Sequence, residues 1–310
     1  MNIDIKRLWK GFWQLADPKI WIASTVPMVV GGMLSYAFTR RFEFFWFILS
    51  LAAVYLIEIG KNAVNEVVDY KSGVDRFVAP DKRTPFSGGK KTIVDGKLTT
   101  LEAAVIAVLT TGTACLIGFY IMFFRVFDIF WIGFAGVVLS VVYSLPPFKL
   151  AYRGGGEITV GITFGPLIVS GVFLVMTGTL SIPVIAASLP IGFLIANVLW
   201  INQFPDYEAD KQGNKRNWVV RLGKEKAVKI YALVFAAAFL CFPVISLIFG
   251  NPFWLLGMAG IPLAVQSVRV AGTFYNDIPR LIQANAKTVI LYQVTGIAMA
   301  AAAFTNRWFI

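Results

Sequence analysis

Nine mostly apolar runs, each about 20 residues long, divide the chain at roughly 20–38, 44–64, 101–123, 127–145, 158–178, 182–204, 228–248, 252–274 and 288–306. Each is long enough to cross a bilayer as a helix. The pattern predicts an all-α, polytopic membrane protein of about nine transmembrane helices, one domain over 1–310 with a central cavity capped by loops. Ahead of the first run, Ile3, Ile5, Leu8, Phe12 and Leu15 recur at near-helical spacing among Lys6, Arg7 and Lys10. Residues 1–18 are therefore read as an amphipathic helix lying in the interface. No cleavable signal peptide is expected, because no small-residue cleavage site follows the first apolar run.

The polar positions are sorted as clearly as the apolar ones. With the N-terminus placed in the cytoplasm, all but Arg40, Arg41, Arg125 and Arg307 of the 28 Lys and Arg residues fall on the cytoplasmic side. That bias follows the positive-inside rule and accounts for much of the +11 net charge, so no nucleic-acid partner is called for. The expected location is the inner, cytoplasmic membrane, with a site on its cytoplasmic side. Two connections on that side are long, 65–100 and 205–227, and mix acids, bases and glycines as ordered caps do. The 57% hydrophobic content fits a membrane protein. Histidine is absent, which excludes His-based triads and imidazole metal sites, and Cys115 and Cys241 sit far apart in apolar runs as small hydrophobes.

Each long connection begins with acids at the end of an apolar run. On the second run, Glu58, Asn62, Asn65, Glu66 and Asp69 share one helical face, with Asp75 beyond; on the sixth, Asn202, Asp206 and Asp210 do the same. Asn62/Glu66 and Asn202/Asp206 repeat an Asn-x-x-x-acid spacing, a faint trace of an internal repeat. Carboxylates and amide oxygens at membrane depth are costly unless they hold a cation. Their hardness suits Mg²⁺, which takes its remaining ligands from water and phosphate. Two facing tips could hold two ions bridged by a pyrophosphate. A plainer alternative is that the acids only pair with Lys71, Arg76, Lys211 and Lys215 as solvated salt bridges.

Bases flank the acids: Lys71, Arg76, Lys82 and Arg83 on one connection, Lys211, Lys215 and Arg216 on the other. They are candidates for gripping pyrophosphate oxygens or, singly, for anchoring to lipid headgroups. A third segment, Tyr143–Glu157, carries two prolines and three glycines that stop one run and turn into the next. Tyr143, Lys149 and Arg153 within it face the same compartment, as a cation-stabilising ring and two phosphate contacts.

On these residues the chain resembles the UbiA superfamily of intramembrane prenyltransferases. The family's first motif runs Asn-Asp-x-x-Asp with a further Asp; here it reads Asn65-Glu66-Val67-Val68-Asp69, then Asp75, with Glu66 a longer arm. Asp206-x-x-x-Asp210 matches the second motif, with Asn202 in the family's Asn position. Lys71–Asp75, Tyr143-Ser144…Pro147, the spacing of Lys215 and Val219–Gly223 resemble the menaquinone branch, which prenylates a dihydroxynaphthoate. The resemblance implies two Mg²⁺ ions on the acids, a prenyl pyrophosphate, Asp69, Asp206 and Tyr143 in catalysis, and an aromatic acceptor attacking an allylic carbocation. It also implies an apolar tunnel open to membrane lipid. Other acceptors of the superfamily are 4-hydroxybenzoate, homogentisate, glycerol phosphate and haem. A cation-coupled transporter is the rival class, but it would place its acids at the bilayer midplane rather than at helix ends.

Overall fold

A computed structural model describes residues 4–78, 83–86 and 89–310, and among these there are helices and turns but no strand. Eight helices are long and apolar enough to cross a membrane: α2 (Ile22–Thr39), α3 (Phe44–Ser72), α5 (Thr100–Phe124), α8 (Gly156–Thr177), α9 (Ile182–Asn202), α12 (Lys224–Phe249), α13 (Pro252–Phe274) and α14 (Ile278–Trp308). Short helices α4 (Val74–Phe77), α7 (Leu150–Arg153), α10 (Tyr207–Gln212) and α11 (Trp218–Leu222) lie in the connections. The expected span at 127–145 is α6 (Ile129–Ser144), at 16 residues shorter than the other eight. A turn over Arg125–Asp128 holds one end of it, and Pro146 and Pro147 stop the other.

Helix α1 (Ile5–Ala16) is the amphipathic N-terminal segment, with Leu15 and Ala16 buried and Ile5 and Trp9 exposed. Arg7 ties it to Lys97 O and Glu102, and Gln14 to Lys90 O. Glu102 is itself half of a capping box with Thr99, which starts α5. The membrane face is legible in single stripes: Leu233, Leu240 and Leu247 recur every seven residues on α12, all exposed. Such a stripe suits a helix face turned to lipid.

The largest packed cluster joins α2, α8, α9, α12, α13 and α14 through residues such as Leu34, Phe173, Ile191, Tyr231, Phe242 and Leu291. Where α8 and α9 cross, a Cβ on Gly192 would lie 2.7 Å from Gly161 O, so glycine is required for the backbones to meet. The α8 backbone widens to a π-turn at Thr163–Leu167 around Pro166, which relieves the proline's clash and missing donor.

The expected cap over 65–100 starts later than the sequence pattern implies, since 65–72 are still α3. The one over 205–227 is mostly helical, in α10 and α11, with α12 already begun at Lys224. Glu66 and Asp69 of the first motif are thus fixed on α3 itself, while Asp75 lies beyond Gly73 on the short α4.

Candidate active site

Helix α3 carries Asp69 into contact with the opposite half of the bundle. The carboxylate is buried, accepts a 2.6 Å hydrogen bond from Tyr152 Oη, and lies 3.2 Å from Lys215 Nζ. The same ammonium is 3.9 Å from Asp210 Oδ1, while Asn217 Nδ2 donates to Asp210 Oδ2 at 2.7 Å. The two acidic tips therefore converge, with Lys215 between them and the Tyr152 ring 5.4 Å away. Two carboxylates share one ammonium, which leaves negative charge uncompensated in a buried place. Burial works against the Lys215 ammonium, yet Asp69 and Asp210 outweigh it and hold its pKa well above the usual lysine range. Burial pushes Asp210 up to about 7 against the opposing pull of Lys215.

The other expected ligands divide into two groups. Asn62, Asp75 and Asp206 are buried and Asn65 is half-buried. Asp75 Oδ2 and the Nδ2 atoms of Asn62 and Asn65 have no hydrogen-bond partner. Burial, then repulsion from Asp69 and Glu66, pushes the Asp75 carboxyl up to about 7. Gly89 folds over it with φ +77, so close that a Cβ there would lie 2.3 Å from Asp75 Oδ1. Asn202 already accepts from Asn285 Nδ2 at 2.9 Å. Glu66 is fully occupied: Oε2 accepts from Lys90 N and Lys91 N, and Oε1 from Thr92 Oγ1 and Ile93 N, at 2.8–3.0 Å. Four donors saturate a carboxylate, so Glu66 clasps the 90–93 segment to α3. Among the described residues no three acidic side chains stand close enough to form a ready-made cage.

The bases are sorted as well. Lys149, Arg153 and Arg216 line one open pocket of about 510 Å³ together with Ser72, Tyr152 and Arg221. Tyr152 belongs to both sites, since its hydroxyl also meets Ser72 Oγ at 2.7 Å. Lys71 and Lys211 are exposed and do not line that pocket, and exposed Arg76 lies over the Tyr70 ring. Arg83 forms an ion pair with Asp95 at 2.9 Å, and Lys82 lies outside the described residues. Of the four bases a salt-bridge reading would assign to the acids, Lys215 is the one that reaches Asp69 and Asp210.

Beneath the acids an apolar cavity of about 280 Å³ lies between α3, α5, α6 and α8. Its rim includes Phe119 and Phe134, both exposed on the outer surface, so it reaches the lipid-facing side of the bundle. Its few polar lining groups include Tyr143, Lys61, Glu58 and Ser24. The sequence pattern singled out Tyr143 but not Tyr152 or Asn217, and it marked Arg221 only as part of the Val219–Gly223 segment. For Tyr152 there was a faint signal, because it sits between Lys149 and Arg153 in a segment already marked.

Comparison with known proteins gives a consistent placement. The model of the UbiA prenyltransferase family matches residues 24–279. The 1,4-dihydroxy-2-naphthoate octaprenyltransferase of Bacillus subtilis is 28% identical over 270 residues, covering 86% of this chain and 83% of that protein. The 2-carboxy-1,4-naphthoquinone phytyltransferase of Synechocystis is 26% identical over 287 residues, 92% of this chain and 90% of its own. Among solved structures, a UbiA homolog from Archaeoglobus fulgidus bound to DMAPP and Mg²⁺ has a TM-score of 0.65 at 18% identity, covering 97% of this chain and 100% of that one. The apo UbiA homolog from Aeropyrum pernix K1 has a TM-score of 0.69 at 16% identity over 91% and 98%. The likeness to these structures is one of fold.

Proposed function

Since the chain belongs to the UbiA prenyltransferase family and is a prenyltransferase enzyme of the membrane, we propose that it moves an isoprenyl chain from a prenyl pyrophosphate to an aromatic acceptor. The acceptor is 1,4-dihydroxy-2-naphthoate, the step belongs to menaquinone biosynthesis, and the site faces the cytoplasm. Support for the acceptor comes from the naphthoate enzymes among its relatives. The observation that carries the reading is the convergence of Asp69 and Asp210 on Lys215 above a lipid-open apolar cavity.

The residues fit a divalent cation. They supply only oxygen donors, they hold excess negative charge, and a lysine ammonium already stands between two of the carboxylates. Asp69, Asp206 and Asp210, with Asn62, Asn65 and Asp75 beside them, are the residues that would hold Mg²⁺. Bound there, the metal would neutralise the charge that builds on the departing pyrophosphate. We leave Glu66 out of that set, because four donors already occupy its oxygens.

The chain's own groups do the rest. Lys215 offers an ammonium to the diphosphate from between the tips, and Lys149, Arg153 and Arg216 grip its outer oxygens from the adjoining pocket. The isoprenyl tail lies in the apolar cavity, where water is excluded from the allylic carbon. The Tyr143 ring at the cavity wall offers its face to the positive charge that develops there.

The test incubates purified protein, Mg²⁺ and a prenyl pyrophosphate with a panel of aromatic acceptors and identifies products by mass. Asp69→Ala and Asp206→Ala are each expected to lower turnover by at least about a thousandfold while insertion and folding persist. Undiminished Mg²⁺-dependent transfer by either variant would remove the assignment.

A further inference from the structure

Lys61 and Glu58 are ionisable side chains, lie on one face of α3 three residues apart, and both line the wall of the mostly apolar cavity. Glu58 is buried and accepts a short hydrogen bond from Ser24 Oγ. Lys61 Nζ sits 5.3 Å from the centre of the Tyr143 ring. Among the described residues it makes no ion pair, and Glu58 is not within ion-pair distance of it. An ammonium at the edge of an apolar chamber with its donors unspent is expensive, and a π-face alone offsets little of that cost.

The position narrows what those donors are for. Lys61 precedes Asn62 by one residue and Asp69 by about two turns, so it lies where the apolar cavity meets the acidic cleft. The reacting end of an isoprenyl donor must stand at that junction, and so must the acceptor. A diphosphate is a poor match for this pair, because the Glu58 carboxylate on the same wall would repel it. A ligand with one anionic group and one hydroxyl matches both: the anion to the Lys61 ammonium, the hydroxyl donating to the free acceptor capacity of Glu58. The flat ring between the two groups would rest against Tyr143.

We infer that Lys61 and Glu58 form the acceptor subsite and select an aromatic acid that also carries a hydroxyl, Lys61 binding its carboxylate. This rests on the aromatic-acceptor reading above. It adds two residues that the acid motifs and the basic pocket do not contain.

The experiment measures KM for both substrates in the wild type, Lys61→Met and Lys61→Arg, with 1,4-dihydroxy-2-naphthoate and its decarboxylated analogue as acceptors. Lys61→Met is expected to raise KM for the acid by roughly ten- to a hundredfold, leave KM for the prenyl pyrophosphate within about twofold, and abolish preference for the acid over the analogue. Lys61→Arg should restore most of that preference. A loss falling on the prenyl pyrophosphate instead would assign Lys61 to the diphosphate and overturn the inference. A second measurement needs no variant: 1-hydroxy-2-naphthoate should inhibit the wild type at least about tenfold more tightly than its methyl ester. Equal inhibition by the two would also overturn it. If the wild type prenylates no aromatic acceptor at all, the functional reading fails first; if it does and Lys61→Met is indifferent to the carboxylate, this inference alone fails.

Discussion

Glu66 stands among the expected ligands by its spacing, and its four hydrogen bonds fasten the 90–93 segment to α3. Its spacing from Asn62 and Asp69 put it in the acidic set, and that spacing is real: all three share one face of α3. Its partners, though, are 24 to 27 residues away in a segment with no periodicity, so nothing in the sequence announced them. Asp69 and Asp210 were legible because their partners are dictated by two matching helix ends. For Glu66→Gln the amide would turn an NH₂ toward backbone N–H donors, costing about 3 kcal/mol of stability. Thermal or chemical unfolding in detergent should show that loss while Mg²⁺ affinity stays unchanged. A stable variant that has lost its metal affinity would make Glu66 a ligand after all.

At the scale of elements, the apolar runs located the helices well because hydrophobic length is nearly all a bilayer asks for. They could not show where a helix overruns its apolar stretch, and α3 continues to Ser72 because its polar end is held by Tyr152, Lys215 and the 90–93 segment. Nor could they reveal the cavity, which exists through what the neighbours lack. Gly136 on α6 lines it, and a Cβ added there would meet nothing within 4 Å. Gly136→Leu should therefore enter the cavity with its Cβ free of any neighbour. Its kcat/KM for a long-chain prenyl pyrophosphate should fall by roughly tenfold while a five- or ten-carbon donor is little affected. Equal losses for both donors would place the tail elsewhere.

Across the whole molecule, Lys215 joins the acidic tips of the two halves, and the charge asymmetry of the connections anticipated that both would lie at one end. Asp75 and Asp210 are pushed up to about 7 in the folded protein, above their value near 3.9 in an unfolded chain. The fold thus binds protons that the unfolded chain releases. Without metal, the contribution of these two groups to stability is fully present at or below about pH 4 and is lost as pH rises through about 7. Melting curves should show the metal-free protein losing stability between about pH 5 and pH 8, and added Mg²⁺ restoring more of it at the upper value. A metal-free melting temperature that climbs over this range would contradict the arrangement of charge. The shortness of α6 acts on a larger neighbourhood still. Sixteen helical residues span about 24 Å, against a hydrocarbon layer of about 30 Å. Lipid beside a helix this short thins to meet it, or flanking side chains reach out to the interface, and α6 is one of the walls of the apolar cavity. If the isoprenyl tail lies in that cavity, as proposed, a bilayer dimpled at this wall would shorten the path of greasy cargo between leaflet and chamber.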